Sequence, residues 1–190
     1  AKAVVEDQVS GLPAADQMAG ERPELDLYDP TRLNTEQQIE LAKRVEAAAM
    51  STDERVTNSE GGDFDSSSGR VVLSNSHGFL GEYQSSSFSM SVSPIATDPE
   101  TGAMQRDSWY AVQRKFAKLD SPEAVGLEAA RRTVRKLGAR KVATQRVPVV
   151  FDSEMAGSLM GNLCSAVSGY SLYKGASFLA GQLDKPLAPE

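Results

Sequence analysis

Cys164 and His77 are the two side chains that could form a nucleophilic thiol–imidazole pair, because the chain has one cysteine and one histidine. A nucleophilic thiol needs a base within hydrogen-bond reach and a partly exposed, electropositive setting. Cys164 instead lies in an apolar helical pattern beside Leu163. We therefore predict an inert core cysteine. We expect His77 to be structural or solvated, since Asn75-Ser76-His77-Gly78 has the composition of a turn.

Three carboxylates close together in sequence, Glu60, Asp63 and Asp65, could bind a cation. They lack the spaced ligands and the closing glutamate of an EF-hand loop, so a plain turn is the expected structure. The sequence contains no GxxxxGK[ST] phosphate loop, no strand-bound GxGxxG and no GxSxG nucleophile elbow. With one His and one Cys, a zinc site would need carboxylates at unusual spacing.

A further segment of interest runs from Val147 to Asp184. An apolar, β-rich run leads into a helix that Asp152 or Ser153 caps, and the phrases Lys174-Gly175-Ala176-Ser177 and Ala180-Gly181-Gln182-Leu183 follow. In this order of features the chain resembles the TldD/PmbA family, whose members are known as peptidases and as modulators of DNA gyrase. The resemblance covers essentially the whole chain.

The resemblance implies where a zinc site would lie. In the catalytic TldD branch this helix carries HExxxH, and its three functional positions fall on Gly161, Asn162 and Ala166. Zinc needs imidazole, thiolate or carboxylate ligands, and its water needs a base. Gly161 and Ala166 have no donor, and Asn162 cannot act as a base near neutral pH. The pattern is that of the PmbA branch, also called TldE. We therefore expect no catalytic residue, metal ligand or cofactor in this chain, and no activity of the chain alone.

The same resemblance implies a partner and a role. A PmbA/TldE-type chain would be the non-catalytic subunit of a TldD/TldE zinc-dependent protease, which acts on peptides in microcin maturation and antitoxin degradation. Zinc would sit in the TldD-like subunit. The alternative is a homo-oligomeric peptide-binding module, a homodimer for example, with no proteolytic role. We expect the chain to be the middle portion of longer family members. It would lack most of their N-terminal domain and the C-terminal sheet domain, which supplies a further metal ligand in TldD.

Composition restricts the partners. The chain has 190 residues, of which 40% are hydrophobic and 24% charged, as in an ordinary soluble protein. The net charge of −6 argues against binding to nucleic acid, and the basic cluster near Arg131–Lys141 is expected to be a solvated helix face. No apolar run is long enough to cross a bilayer, so no membrane partner is expected. A single cysteine fits a reducing cytoplasm.

The periodicity predicts an α+β fold, an antiparallel β meander packed with helices. Helices are expected to begin after Asn34 or Thr35 and after Ser121, and the helix that contains Gly161 is expected to be buried because it has no clearly polar side. Strands are expected at the following segments: Arg55–Ser59, Arg70–Ser74, Phe79–Gln84, Ser87–Ser93, Met104–Phe116, Lys141–Thr144 and Val147–Phe151. Turn or loop is expected at 60–63 and 65–69. Residues 1–145 would form one α+β domain and 146–190 the start of the next, and Ala1–Val5 would end an upstream helix.

The clearest alternation in the chain is Ser87-Phe88-Ser89-Met90-Ser91-Val92-Ser93. It predicts a strand with Phe88, Met90 and Val92 in the core and the serines on the other face. Small hydroxyl side chains leave room for a peptide, which could add to the sheet as a strand. Ser87, Ser89 and Ser91 are therefore the candidate peptide-facing residues, with an ordinary solvated sheet face as the alternative.

Overall fold

The computed structural model describes residues 11–21 and 23–186, so the predicted helix end at Ala1–Val5 lies outside the described residues. The chain divides into two units, one up to Arg140 and one from Lys141 onward. The first unit is an antiparallel sheet with two long helices on one face, and the second is helical. The predicted α+β class is confirmed.

Both long helices begin where the sequence predicts. Helix α1 spans Thr35–Thr52; Asn34 Oδ1 accepts from the Gln37 N–H at 2.8 Å, and the Gln37 side chain accepts from the Asn34 N–H at 2.9 Å. This reciprocal pair satisfies two donors that the helix itself leaves free. Helix α2 spans Pro122–Arg135, with Ser121 Oγ accepting from the Ala124 N–H at 3.2 Å.

The sheet is built on two long strands, β1 (Val56–Ser74) and β2 (Leu80–Thr97), which pair antiparallel along their whole length. The turn between them is the predicted one, with Gly78 at φ 84°. The expected turn at 60–63 and loop at 65–69 are wrong, because β1 runs through both. Gly61 and Gly62 mark a register shift between Ser59 and Gly62, so the glycines form a bulge inside the strand.

The other edge of β2 carries two short strands, β3 (Met104–Arg106) and β4 (Trp109–Gln113). Both short strands pair with β2 in the same register, and Asp107 and Ser108 separate them. The predicted strand from Met104 to Phe116 is therefore interrupted. Phe116 lies beyond it in a three-residue 3₁₀ helix, Phe116–Lys118.

The core lies between the sheet and the two helices. It contains buried side chains from every layer: Val45, Ala49, Met90, Val92, Ala111, Val125 and Ala129. Phe88 is also buried, which confirms the predicted inward face of β2. Two apolar residues of the helices, Ile39 and Leu127, are 48% and 46% exposed, because the buried stripe of each helix is narrow.

A polar connection fastens the segment before α1 to the sheet. The buried carboxylate of Asp29 accepts from the N–H groups of Thr31 and Phe116, both at 2.8 Å. The Asp29 N–H donates to Ser86 Oγ at 2.9 Å, and that hydroxyl donates to the Arg114 carbonyl at 2.7 Å. Hydrogen bonds from Thr31, followed by that from Phe116, lower the pKa of Asp29. The carboxylate therefore joins the segment before α1 to the residue that follows β4 and Lys115, and the Asp29 N–H joins the same segment to β2 through Ser86.

The second unit contains α3 (Ser153–Val167) and the short α4 (Gly169–Tyr173). The helix is present as predicted, but its predicted burial is wrong. Met155, Leu159 and Met160 are 47–58% exposed, because no long element of this unit packs along α3. The predicted strands at 141–144 and 147–151 are also wrong, since no strand of the described chain pairs with these β-rich residues.

Candidate functional site

Helix α3 places the three positions of the former metal motif on one continuous helix. The Asp152 side chain caps it by accepting from the Glu154 N–H at 3.1 Å. A Cβ added at Gly161 would have open space around it. Asn162 donates its side-chain amide to the Ser158 carbonyl at 2.9 Å, and Ala166 is the buried residue of the helix. The helix is therefore formed and regular at all three positions.

The residues at these positions do not fit zinc. Gly161 and Ala166 carry no ligand atom, and the Asn162 amide is bound to the backbone one turn away. The Ala166 carbonyl accepts from Ser177 Oγ at 2.7 Å, so the segment Lys174–Ser177 closes over this end of the helix. Among the described residues there is also no group of three or more His, Cys, Asp and Glu side chains that could hold a metal ion.

The thiol of Cys164 is exposed, so the predicted core cysteine is wrong. The error has the same origin as the predicted burial of α3, whose apolar side chains have no covering element in their unit. His77 lies at the β1–β2 turn, where its Nδ1 is 3.0 Å from the Pro13 carbonyl. This contact agrees with the structural role expected for the histidine. The two residues lie in different units of the chain.

The outer face of the sheet, opposite the helices, carries the candidate peptide-facing residues. Ser87, Ser89 and Ser91 are half-buried there. Ser91 lies between Asp63 and Tyr110 on the neighbouring strands, and Ser89 lies between Asp65 and Val112. These two rows line a shallow depression of about 210 Å³, and its edges are formed by Asp63, Asp65, Tyr110 and Val112.

The depression contains two carboxylates that the sequence prediction assigned to turn and loop. Asp63 and Asp65 are on β1 and point to the serine face. The available signal was the alternation of Asp63, Asp65 and Ser67 with Phe64 and Ser66, which has the period of a strand. Gly61 and Gly62 favour a turn by composition, and they made this alternation hard to recognise. The third carboxylate, Glu60, forms an ion pair with Arg106.

The pairing of β2 restricts how a peptide could add to the sheet. From Phe88 to Val92, β2 is bonded to β1 on one edge and to β4 on the other. A further strand therefore cannot pair with β2 beside Ser89 and Ser91. It would have to use the outer edge of β1 or β4, or lie across the face.

Three cations of the basic cluster at the end of α2 lie beside carboxylates. Lys136 pairs with Asp107 at 2.9 Å, and Arg132 lies 3.8 Å from the same carboxylate and over the ring of Trp109. Arg131 lies 3.8 Å from Glu128. Burial opposes ionisation of Asp107, but Lys136 and Arg132 together lower its pKa. These three cations therefore lie beside carboxylates and are not free to bind phosphate.

Comparison with known proteins identifies the family. Residues 28–137 match the PmbA/TldA metallopeptidase central domain, and residues 144–190 match the C-terminal domain of the same family. The Metalloprotease PmbA of Escherichia coli O157:H7 is 41% identical over 184 residues, which are 97% of this chain and 40% of the relative. This chain belongs to the PmbA/TldD metallopeptidase family. A PmbA homolog of Haemophilus influenzae is 38% identical over 190 residues, 100% of this chain and 42% of the relative.

Solved structures agree with the PmbA/TldD assignment. A protein from Bacteroides thetaiotaomicron, described as a modulator of DNA gyrase, superposes with a TM-score of 0.85 at 28% identity over 98% of this chain and 43% of its own. One from Thermotoga maritima, with the same description, shares the fold at a TM-score of 0.78 and 23% identity, covering 88% of this chain and 38% of its own. The chain thus spans about two fifths of the length of the curated relatives it matches. No helix of the described residues is long and apolar enough to cross a membrane.

Proposed function

We propose that this chain is a PmbA/TldE-type subunit that has no zinc site of its own and acts on peptides together with a TldD-like catalytic chain. The observation that carries the proposal is the side-chain chemistry at Gly161, Asn162 and Ala166 on an intact helix. Two of the positions have no donor and the third is engaged with the Ser158 carbonyl. Helix and flanking segments are retained while the ligands are lost, which favours an architectural role over hydrolysis.

The name metalloprotease borne by the relatives supports a role in peptide processing or degradation, with the zinc supplied by the partner. The exposed apolar side of α3, which includes Met155, Leu159 and Met160, offers the partner a surface. The single thiol, Cys164, favours a cytoplasmic location.

The test is co-purification of the full-length protein with a TldD-like chain from the same cell, with zinc measured in each separated component. The expected result is a one-to-one complex that cleaves peptides and holds zinc in the partner alone. Replacing the HExxxH glutamate of the partner is the matched control, and it should abolish cleavage while leaving the complex intact. Absence of a complex, or zinc bound to this chain by itself, would refute the proposal.

The depression on the outer sheet face favours a second candidate, a peptide-binding module without a proteolytic role. Asp63 and Asp65 provide negative charge at one side of the depression, and Tyr110 provides a flat apolar wall at the other. Such a surface suits an extended peptide with basic side chains. Ser89→Arg would fill the depression and oppose a cationic peptide. Ser93→Arg adds the same side chain to the same strand outside the depression. Loss of peptide binding in Ser89→Arg alone is expected, whereas equal binding by both variants would exclude this face.

A further inference from the structure

The first part of β2 has an open edge on the side where β4 lies. β4 pairs with β2 only from Phe88 to Val92, so no strand of the described residues lies on that side between Leu80 and Ser86. Residues 23–28, here called the strap, run beside this edge, and the Ser86 N–H donates to the Leu27 carbonyl at 3.1 Å. The strap and β2 thus form the two walls of a cleft.

The cleft is large enough for a ligand. Its volume is about 450 Å³, within the range of about 300–1,000 Å³ that is usual for ligand pockets. It is lined by residues 23–28 of the strap, residues 82–84 of β2 and Arg70 of β1. Leu25 and Tyr83 are 59% and 50% exposed, so the walls offer apolar as well as polar contacts.

The backbone of Glu82 and Gln84 points into the cleft. The backbone groups of an antiparallel strand alternate in direction, and the Ser86 N–H points to the strap. The pairing of β2 with β1 is regular from Leu80 to Ser86, so the N–H and carbonyl groups of Gln84 and Glu82 point the same way. No described residue of the strap is hydrogen-bonded to these four groups. They are therefore available to another backbone.

This arrangement of donors and acceptors suits an extended peptide. A peptide strand placed antiparallel in the cleft continues the line of β4 along β2. The peptide residues opposite Glu82 and Gln84 would each exchange two hydrogen bonds with β2, and such main-chain bonds provide the affinity in strand addition. A helical ligand could not pair in this way, because its backbone groups are already bonded to each other.

The charge of the cleft favours a cationic peptide. Its lining contains three carboxylates, Glu24, Asp26 and Glu82, but one guanidinium, Arg70. Arg70 pairs with Glu82, Asp26 pairs with Lys115 at 2.6 Å, and Glu24 accepts from the Asp26 N–H at 3.0 Å. The carboxylates remain in excess in the lining, and the whole chain has a net charge of −6. Both charges attract a basic peptide and repel an acidic one.

We propose that the cleft binds an extended, cationic segment of a peptide substrate by strand addition to β2 at Glu82 and Gln84. The proposal rests on the proposed action on peptides, and it assigns a peptide site to this chain itself. Because the main chain of the peptide is what pairs with β2, the site selects extended conformation and positive charge rather than one particular side chain.

Fluorescence anisotropy with the full chain, in the absence of a TldD-like chain, tests the cleft. The probe is a labelled octapeptide of alternating lysine and threonine, and its counterpart alternates glutamate and threonine. The cationic octapeptide should bind about tenfold more tightly or better. Methylation of all its backbone nitrogens keeps its charge but removes its donors, so this form should bind about tenfold more weakly or worse.

Two pairs of variants separate backbone pairing from charge. Gln84→Pro removes an N–H that points to the cleft and breaks no bond to β1, since proline is tolerated on the open edge of a strand. It should weaken binding about tenfold, whereas Gln84→Ala, which keeps the N–H, should bind as the wild type does. Glu82→Lys should weaken binding of the cationic octapeptide. Glu100→Lys makes the same change in net charge at an exposed residue beyond the other end of β2, and it should bind normally. Circular dichroism shows whether each variant is folded, and the lysine pair decides the matter if Gln84→Pro is not.

Three results would overturn the inference: equal binding of the two octapeptides, equal binding by the two variants of either pair, or loss of binding in Ser89→Arg but not in Gln84→Pro. The last result would place the peptide on the outer sheet face. These measurements use this chain alone, so their failure would refute the cleft and not the complex with a TldD-like chain. Absence of that complex would refute the subunit role and not the cleft.

Discussion

Replacing Gly126 with alanine tests the closest contact between the two long helices. A Cβ at this position would lie 2.6 Å from the Val45 carbonyl oxygen and 2.7 Å from both the Ala48 Cβ and the Ala49 backbone nitrogen. Two of these three atoms belong to the backbone of α1 and cannot move as a side chain does. The helices must therefore separate, which also loosens the packing of Val45 and Ala49 in the core.

Overpacking of a core costs about 1–3 kcal/mol, and a clash with backbone on a rigid helix belongs at the upper end of that range. The higher helix propensity of alanine stabilises α2 by about 1 kcal/mol relative to glycine, which offsets part of this cost. The net expectation is a loss of about 2 kcal/mol in the free energy of unfolding. For a unit of this size the midpoint of thermal unfolding should fall by roughly 6–10 °C.

Urea and thermal unfolding, followed by far-ultraviolet circular dichroism at one protein concentration, measure this change. Gly69→Ala is the matched control, because its new Cβ meets nothing within 4 Å on the same folding unit. It should change stability by less than about 0.5 kcal/mol. If Gly126→Ala is as stable as the wild type or more stable, the close approach of α1 and α2 does not explain why glycine occupies position 126.

Three further results are expected. Below about pH 4 the first unit should lose stability, because Asp29 has a lowered folded-state pKa and its contribution, present above the unfolded pKa, disappears as the pH falls. In the Asp29→Asn variant, the urea midpoint should decrease less than in the wild type as the pH is lowered. A rise in wild-type stability on acidification would contradict this expectation. The triple variant Gly161→His, Asn162→Glu, Ala166→His should show no peptidase activity. Ala166 is buried, which leaves little room for an imidazole, and the groups that would orient the zinc ligands are missing. Zinc-dependent cleavage by this variant would contradict the expectation. Cys164 should react with a maleimide in the folded protein at close to the rate of the unfolded chain; strong protection would mean that α3 is covered in solution.

Local signals predicted the first unit well. The Asn34 and Ser121 caps fixed both helix starts because each needs only a side chain and a nearby N–H group. The alternation from Ser87 to Ser93 fixed the faces of β2, since a strand with helices on one side has a single possible inward set. Caps and alternation act over a few residues, so they can be detected without knowing the partner elements.

The errors occurred where the outcome depends on distant partners. Gly61 and Gly62 have turn composition, yet β2 offers hydrogen bonds on both sides of them, and the chain continues as a bulged strand. Residues 147–151 have strand composition, but no strand is available beside them. At the glycines, pairing with another strand overrode local composition, and at 147–151 the described residues provide no strand to pair with. One sequence reveals neither the presence nor the absence of such a partner.

The candidate site also has one part that the sequence predicts and one part that depends on distant partners. Side-chain identity alone shows, whatever the fold, that Gly161, Asn162 and Ala166 offer zinc no imidazole, thiolate or carboxylate. By contrast, the position of Asp63 on the serine face required the register of β1 with β2.

Helix α3 forms although two residues in its interior disfavour a helix. Two glycines, Gly157 and Gly161, each cost about 1 kcal/mol relative to alanine in a helix interior. A Cβ at either position would have open space in this chain, so packing within the chain does not require them. The helix also exposes Leu159 and Met160, which ordinarily lie at an interface or in a core. Small residues and exposed apolar side chains on one helix both suit close contact with another protein surface. Binding of a TldD-like chain should therefore protect the backbone amides of α3 from hydrogen exchange. Equal exchange of the α3 amides with and without that chain would show that α3 does not bind it.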